Sequence, residues 1–114
     1  VCHCTICRRS TGGTTVAWFS VLKSDFRVLS GHPATFNSTP HGTRSFCPQC
    51  GTQLTFEDAN FPSELDITTT SLDDPESVPP KDHTQTETRL SWLHPSDELP
   101  QFRAARTRDD KSSR

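Results

Sequence analysis

Cys2-His3-Cys4-Thr5-Ile6-Cys7-Arg8 opens the chain, and Phe46-Cys47-Pro48-Gln49-Cys50-Gly51 returns to the same pattern further on. Together they hold all five cysteines. Thiols two or three residues apart on a turn converge readily on one soft cation, and an odd number of cysteines suits a disulfide framework badly. Zinc is the default occupant, because thiolate sulfur suits it and it accepts tetrahedral sites built from turns. Spacing alone admits two assignments. Cys4, Cys7, Cys47 and Cys50 can form one closed site of the zinc-ribbon kind, with Cys2 left over. Alternatively Cys2, Cys4 and Cys7 hold one metal, and Cys47 and Cys50 contribute to another. A closed site is structural, whereas three protein ligands and an open fourth position mark a catalytic zinc.

Composition makes a metal useful in either case. Only 30% of the 114 residues are hydrophobic, against roughly 45–50% apolar residues, glycine included, in an average globular chain. One domain of this length with so thin a core gains stability from a metal staple. The formal net charge of −2 favours no class of partner. Its distribution is uneven: Arg103, Arg106, Arg108, Lys111 and Arg114 crowd the C-terminus. Residues 1–103 are therefore read as the domain and 104–114 as a disordered basic tail. No apolar run approaches the ~18–20 residues of a membrane span, and no signal peptide is visible. Clustered free thiols imply a reducing compartment, the cytoplasm or the nucleus. The chain has no methionine and begins one residue before a ligand cluster, so its first strands are expected to be missing.

Between the clusters the pattern is β. Thr14–Leu22 is rich in β-branched and aromatic residues and predicts a strand. Ala34–Asn37 and Thr43–Phe46 predict a strand pair around Thr39-Pro40-His41-Gly42. The second of these runs into Cys47-Pro48-Gln49-Cys50-Gly51, where Gly51 permits positive φ and Pro48 stiffens the turn. Thr52–Phe56 and Leu65–Thr70 predict two more strands, Asp73–Glu76 one helical turn, and Thr84–Thr88 an edge strand. No segment sustains a 3.6-residue period for three turns. The fold class is all-β, short strands and loops around metal.

Further residues flank the cysteines in a fixed order. Arg8, Gly12 and Trp18 follow the first cluster; Gly51, Thr52 and Leu54 follow the second. Then come Leu65-Asp66-Ile67-Thr68, Ser71-Leu72-Asp73-Asp74-Pro75, His83, Leu90-x-Trp92-Leu93 and Asp97-x-Leu99-Pro100-x-Phe102. This order resembles the glutathione-dependent formaldehyde-activating enzyme family, which includes the centromere protein V group. The resemblance covers residues 1 to about 103. It implies a zinc-binding β-tent. One zinc site is a three-cysteine site associated with the reaction, here Cys2, Cys4 and Cys7. The other is a structural four-cysteine site, to which this chain brings Cys47 and Cys50 and an upstream Cys-x-Cys brings the rest. The sequence departs from the family in lacking that upstream pair. The implied activity is that of a carbon–sulfur lyase joining glutathione, or another thiol, to formaldehyde or a related aldehyde. The alternative is a non-catalytic zinc-binding interaction module of the centromere protein V type.

The ligand set agrees with thiol chemistry on its own terms. Three thiolates around Zn²⁺ leave a net charge of about −1, which favours holding an incoming thiol ionised over activating water. Arg8 and Arg9 follow the last ligand and are candidates for a glutathione carboxylate, which a guanidinium pairs bidentately. His83 stands where the family pattern also has histidine, which implies a place near substrate. His3 is expected to point away from the metal, and His41 and His94 to lie at the surface. Trp18, Phe46, Phe56 and Trp92 are read as core, and Asp73 and Asp74 as turn-capping residues. Neither nucleic acid nor membrane is an expected partner.

Overall fold

A computed structural model describes residues 1–106. Most of the expected basic tail, residues 107–114, lies outside the described residues. Two compact units divide the chain. One is Val1–Val16 with the described residues from Pro80 to Arg106, and the other is Ala17–Pro79.

The second unit is a sheet, and the all-β expectation holds. Its strands are β1 (Trp18–Leu22), β2 (Ala34–Asn37), β3 (Gly42–Phe46), β4 (Gln53–Asp58) and β5 (Glu64–Thr68). They form one antiparallel sheet in the order β1-β5-β4-β3-β2. Cross-strand side chains fix its register, as expected of directly opposed positions. Ser20 donates to Asp66 across β1 and β5, and Ser45 meets Thr55 across β3 and β4. Register shifts between Ser45 and Phe46. A bulge of this kind bends its strand, and here it sits just before the Cys47–Cys50 turn.

Apolar filling is sparse, as the composition requires. Leu65 on β5 is the buried aliphatic side chain of the sheet unit, at 5% exposure. The sheet also uses a buried cation. The Arg44 guanidinium lies 4.7 Å from the Phe56 ring centroid and 5.9 Å from that of Trp18, while its Nε donates to Ser38 Oγ at 2.9 Å. An aromatic sandwich of this kind offsets part of the loss of hydration. Trp18 and Phe56 pack around this cation half-buried, outside the buried core expected of them from sequence. Trp92 lies outside it too, being 66% exposed on a stretch without regular strand or helix.

The first unit contains the helix that no periodicity announced, α1 (Thr5–Thr11). It is two turns long and set by its ends. Cys4 Sγ accepts from the Cys7 N–H at 3.1 Å as the N-cap, and Gly12, at φ 75°, closes the helix with its N–H on the Arg8 carbonyl. The expected strand at Thr84–Thr88 is shorter than read. His83 and Thr84 make single bridges, Gln85 turns into the left-handed region, and Thr86–Thr88 is a 3₁₀ turn. Likewise the expected Thr14–Leu22 strand splits: Val16 bridges Cys2 in the first unit, and β1 starts at Trp18 in the second. Further along, Asp82 takes a bidentate grip from Arg106, and Gln85 donates its N–H to the Ala104 carbonyl. None of the helices among the described residues is long and apolar enough to cross a membrane.

The contrast between Leu65 and Leu29, at 5% and 82% exposure, gives a direct test of where the core lies. Leu65→Ala is expected to lower stability by about 2–5 kcal/mol, and Leu29→Ala by no more than about 0.5 kcal/mol. Urea unfolding followed by tryptophan fluorescence measures both.

Candidate metal centre

Three backbone devices bring the first cluster together. Cys2 is pinned on both sides: its N–H and C=O exchange bonds with Val16 at 2.7 and 3.1 Å, and its neighbours pair with Thr84. His3 N–H donates to the Thr84 carbonyl at 3.0 Å, and Thr84 N–H to the Val1 carbonyl at 2.8 Å. Cys4 ends this extended stretch as the N-cap, and Cys7 sits buried in the first turns of α1. The result is that the sulfurs of Cys2, Cys4 and Cys7 all lie within 4.8 Å of one another.

Hydrogen bonding to the Cys4 and Cys7 sulfurs, followed by burial, drives the Cys2 thiol well above its ordinary range. Three sulfurs so close cannot all ionise without a compensating cation, and a bound divalent metal inverts that preference outright. Zn–S bonds of ~2.3 Å imply sulfur separations of about 3.5–4 Å, so a small inward movement seats the metal. The donor set is soft and compact, it fits zinc, and it leaves a tetrahedral site one ligand short. Within the first unit the convergence seen is that of Cys2, Cys4 and Cys7.

Cys47 and Cys50 form a separate turn in the sheet unit. The Cys47 N–H donates to the Thr52 carbonyl at 2.9 Å and the Gly51 N–H to the Cys47 carbonyl at 2.8 Å, with Gly51 at φ 80°. Hydrogen bonds from Thr52 hold the exposed Cys50 thiol below its usual range, and Cys47 adds to the effect. The Thr52 hydroxyl lies 3.1 Å from Cys50 Sγ. Such a turn stabilises thiolate. In the sequence Thr52 is only one member of a motif, and its hydroxyl–sulfur contact is visible only in the fold.

The remaining candidates separate. Arg8 is half-buried on α1, and its Nε is sheltered without a hydrogen-bond partner; Arg9 is exposed. His83 is 4% exposed and has both ring nitrogens engaged, Nδ1 with His3 Nε2 at 2.9 Å and Nε2 with Asp97. That leaves neither nitrogen to meet a substrate. His3 is also buried, at 2% exposure, and burial, followed by His83, lowers its pKa. Asp97 is legible in the sequence only as part of a motif, because its contact with His83 spans a gap that no local pattern reveals. Asp73 and Asp74 are exposed, and the Asp74 carbonyl accepts from Ser77.

Comparison with known proteins agrees with this site. No curated protein matches the chain. The family model described as glutathione-dependent formaldehyde-activating enzyme matches residues 1–88, a stretch that includes both cysteine clusters. The chain belongs to the glutathione-dependent formaldehyde-activating enzyme family.

Proposed function

We propose that this chain is a zinc-dependent carbon–sulfur lyase that joins glutathione, or a similar thiol, to formaldehyde or a related aldehyde. The observation that carries this reading is the convergence of Cys2, Cys4 and Cys7, whose sulfurs lie within 4.8 Å of one another. The family description supports the substrate pair. Zinc held by these three sulfurs supplies a soft cation that keeps an incoming thiol ionised at neutral pH.

The chain's own residues do the rest. Cys2 and Cys4 are held by backbone pairing and Cys7 by α1, so the open side of the cluster is preorganised for a fourth donor. Three thiolates give the filled site a net charge of about −1, which disfavours activation of water. Arg8, one residue after Cys7, is half-buried on α1, and the guanidinium at its end pairs with a substrate carboxylate. In the reaction the thiol sulfur forms a bond to the aldehyde carbon, the carbonyl π pair moves to oxygen, and that oxygen takes a proton in place of the one lost from sulfur. No covalent bond to the protein is needed. Cys47 and Cys50 supply two ligands of a second, structural zinc whose other ligands come from outside that pair. Cysteines that serve as thiolate ligands suit a reducing compartment, the cytoplasm.

Exchange NMR of the hemithioacetal protons tests the activity. Zinc-loaded protein is expected to accelerate interconversion of glutathione and formaldehyde with S-hydroxymethylglutathione, and chelation of the zinc to remove the gain. Exchange no faster than with zinc-free protein, together with no measurable glutathione binding, contradicts the reading and leaves zinc an architectural role. Arg8→Ala is expected to weaken glutathione binding about tenfold, the loss of one charged hydrogen bond. Arg9→Ala should change it little, and isothermal titration calorimetry measures both.

A further inference from the structure

Three side chains of the first unit form a hydrogen-bonded line with a direction. Asp97 receives both a backbone bond from the Leu99 N–H, at 3.1 Å, and the His83 Nε2 contacts at 2.9 and 3.0 Å. His83 Nδ1 then lies 2.9 Å from His3 Nε2. His3 Nδ1, at the end of the line, is buried and has no hydrogen-bond partner. Both imidazoles are buried, whereas the Asp97 side chain is 45% exposed.

The two ends set every proton between them. The Leu99 N–H, with His83 adding to it, holds the Asp97 carboxyl below its usual range, so it is an ionised acceptor. His83 Nε2 therefore carries a hydrogen. In neutral His83 the other nitrogen, Nδ1, is then an acceptor, and His3 Nε2 must donate to it. His3 Nδ1 is left unprotonated. The far end requires the same answer independently, because a buried N–H without a partner is the rarer and costlier orphan.

The line ends in the segment that carries the ligands. His3 lies between Cys2 and Cys4, and side chains alternate along extended backbone, so His3 anchors the side opposite their sulfurs. Its carbonyl is gripped as well, by the Thr88 hydroxyl at 3.0 Å. We propose that Asp97, His83 and His3 form a tautomer-setting line that positions the Cys2–Cys4 segment for metal, with Asp97 and His83 acting as positioning residues through His3. The inference rests on the reading of Cys2, Cys4 and Cys7 as a zinc site, but not on the lyase activity.

Asp97→Asn is the informative change. The amide that replaces the carboxylate keeps an oxygen for the Leu99 N–H and turns its NH₂ toward His83. That ring must then accept at Nε2, donate from Nδ1 and force His3 to carry its hydrogen on Nδ1. Long-range ¹H–¹⁵N NMR of the histidine rings in the full chain reads the tautomers directly. The expected result is Nε2–H for both His3 and His83 in the native protein and Nδ1–H for both in Asp97→Asn. Zinc affinity, measured by competition with a chromophoric chelator, is expected to fall about tenfold in Asp97→Asn, the usual scale for residues that support metal ligands, in a chain that still folds but melts lower because His3 now buries an unpartnered N–H. Native His3 carrying its hydrogen on Nδ1 overturns the proposal, as does tautomer inversion with zinc affinity unchanged. A native chain that takes up no zinc contradicts the metal reading itself and shows before any variant is compared. The ring tautomers judge the line in either case.

Discussion

The backbone of Cys2 is the constraint on which the metal centre depends. It is bonded to Val16 on one side, while its flanking residues are bonded to Thr84 on the other. A ligand in a free N-terminal segment pays the ordering entropy when metal binds. Here the fold has already fixed the segment, and Cys4 and Cys7 follow within a single capped helix start. The same pairing draws in the later chain. His83 N–H bonds to the Pro100 carbonyl and Phe102 N–H to that of His83, so residues far apart in sequence converge behind a short ligand stretch.

Sulfur does two things in this arrangement. Cys4 Sγ accepts the N–H of Cys7, which satisfies one of the unpaired donors at the start of α1, and it also belongs to the three-sulfur cluster. The local helix and the metal centre therefore share an atom. That explains why a two-turn helix without apolar periodicity forms at all: its ends, Cys4 and Gly12, define it rather than its middle. The second cysteine turn uses a different device. There Thr52 and the backbone stabilise Cys50 as thiolate at an exposed position.

Much of this is legible in the sequence, for identifiable reasons. The β2 and β3 strands are readable from β-branched and aromatic residues on either side of a Pro-Gly turn, and the cysteine groups from spacing alone. What escapes are features made by distant residues or by chain ends. Helix α1 has too few turns for periodicity to register. The Thr84–Thr88 strand is over-read because Gln85, with φ 56°, breaks it after one bridge, and no residue type there warns of that. Residue type alone assigns Trp92 to the core, although it is largely exposed. The sequence does single out His83, but its partners His3 and Asp97 place it behind the ligand segment, with no nitrogen left over for substrate. Buried polar lines of this kind join sequence-distant residues and leave no periodic trace.

The central claim is that Cys2, Cys4 and Cys7 hold one zinc with a fourth position open to a thiol. Zinc K-edge X-ray absorption on the protein with Cys47→Ser and Cys50→Ser, loaded with one equivalent of zinc, tests it most directly. The account predicts three sulfur neighbours at about 2.3 Å with one lighter atom, and a fourth sulfur on addition of glutathione. A first shell without three sulfurs, or one that glutathione leaves unchanged, contradicts it.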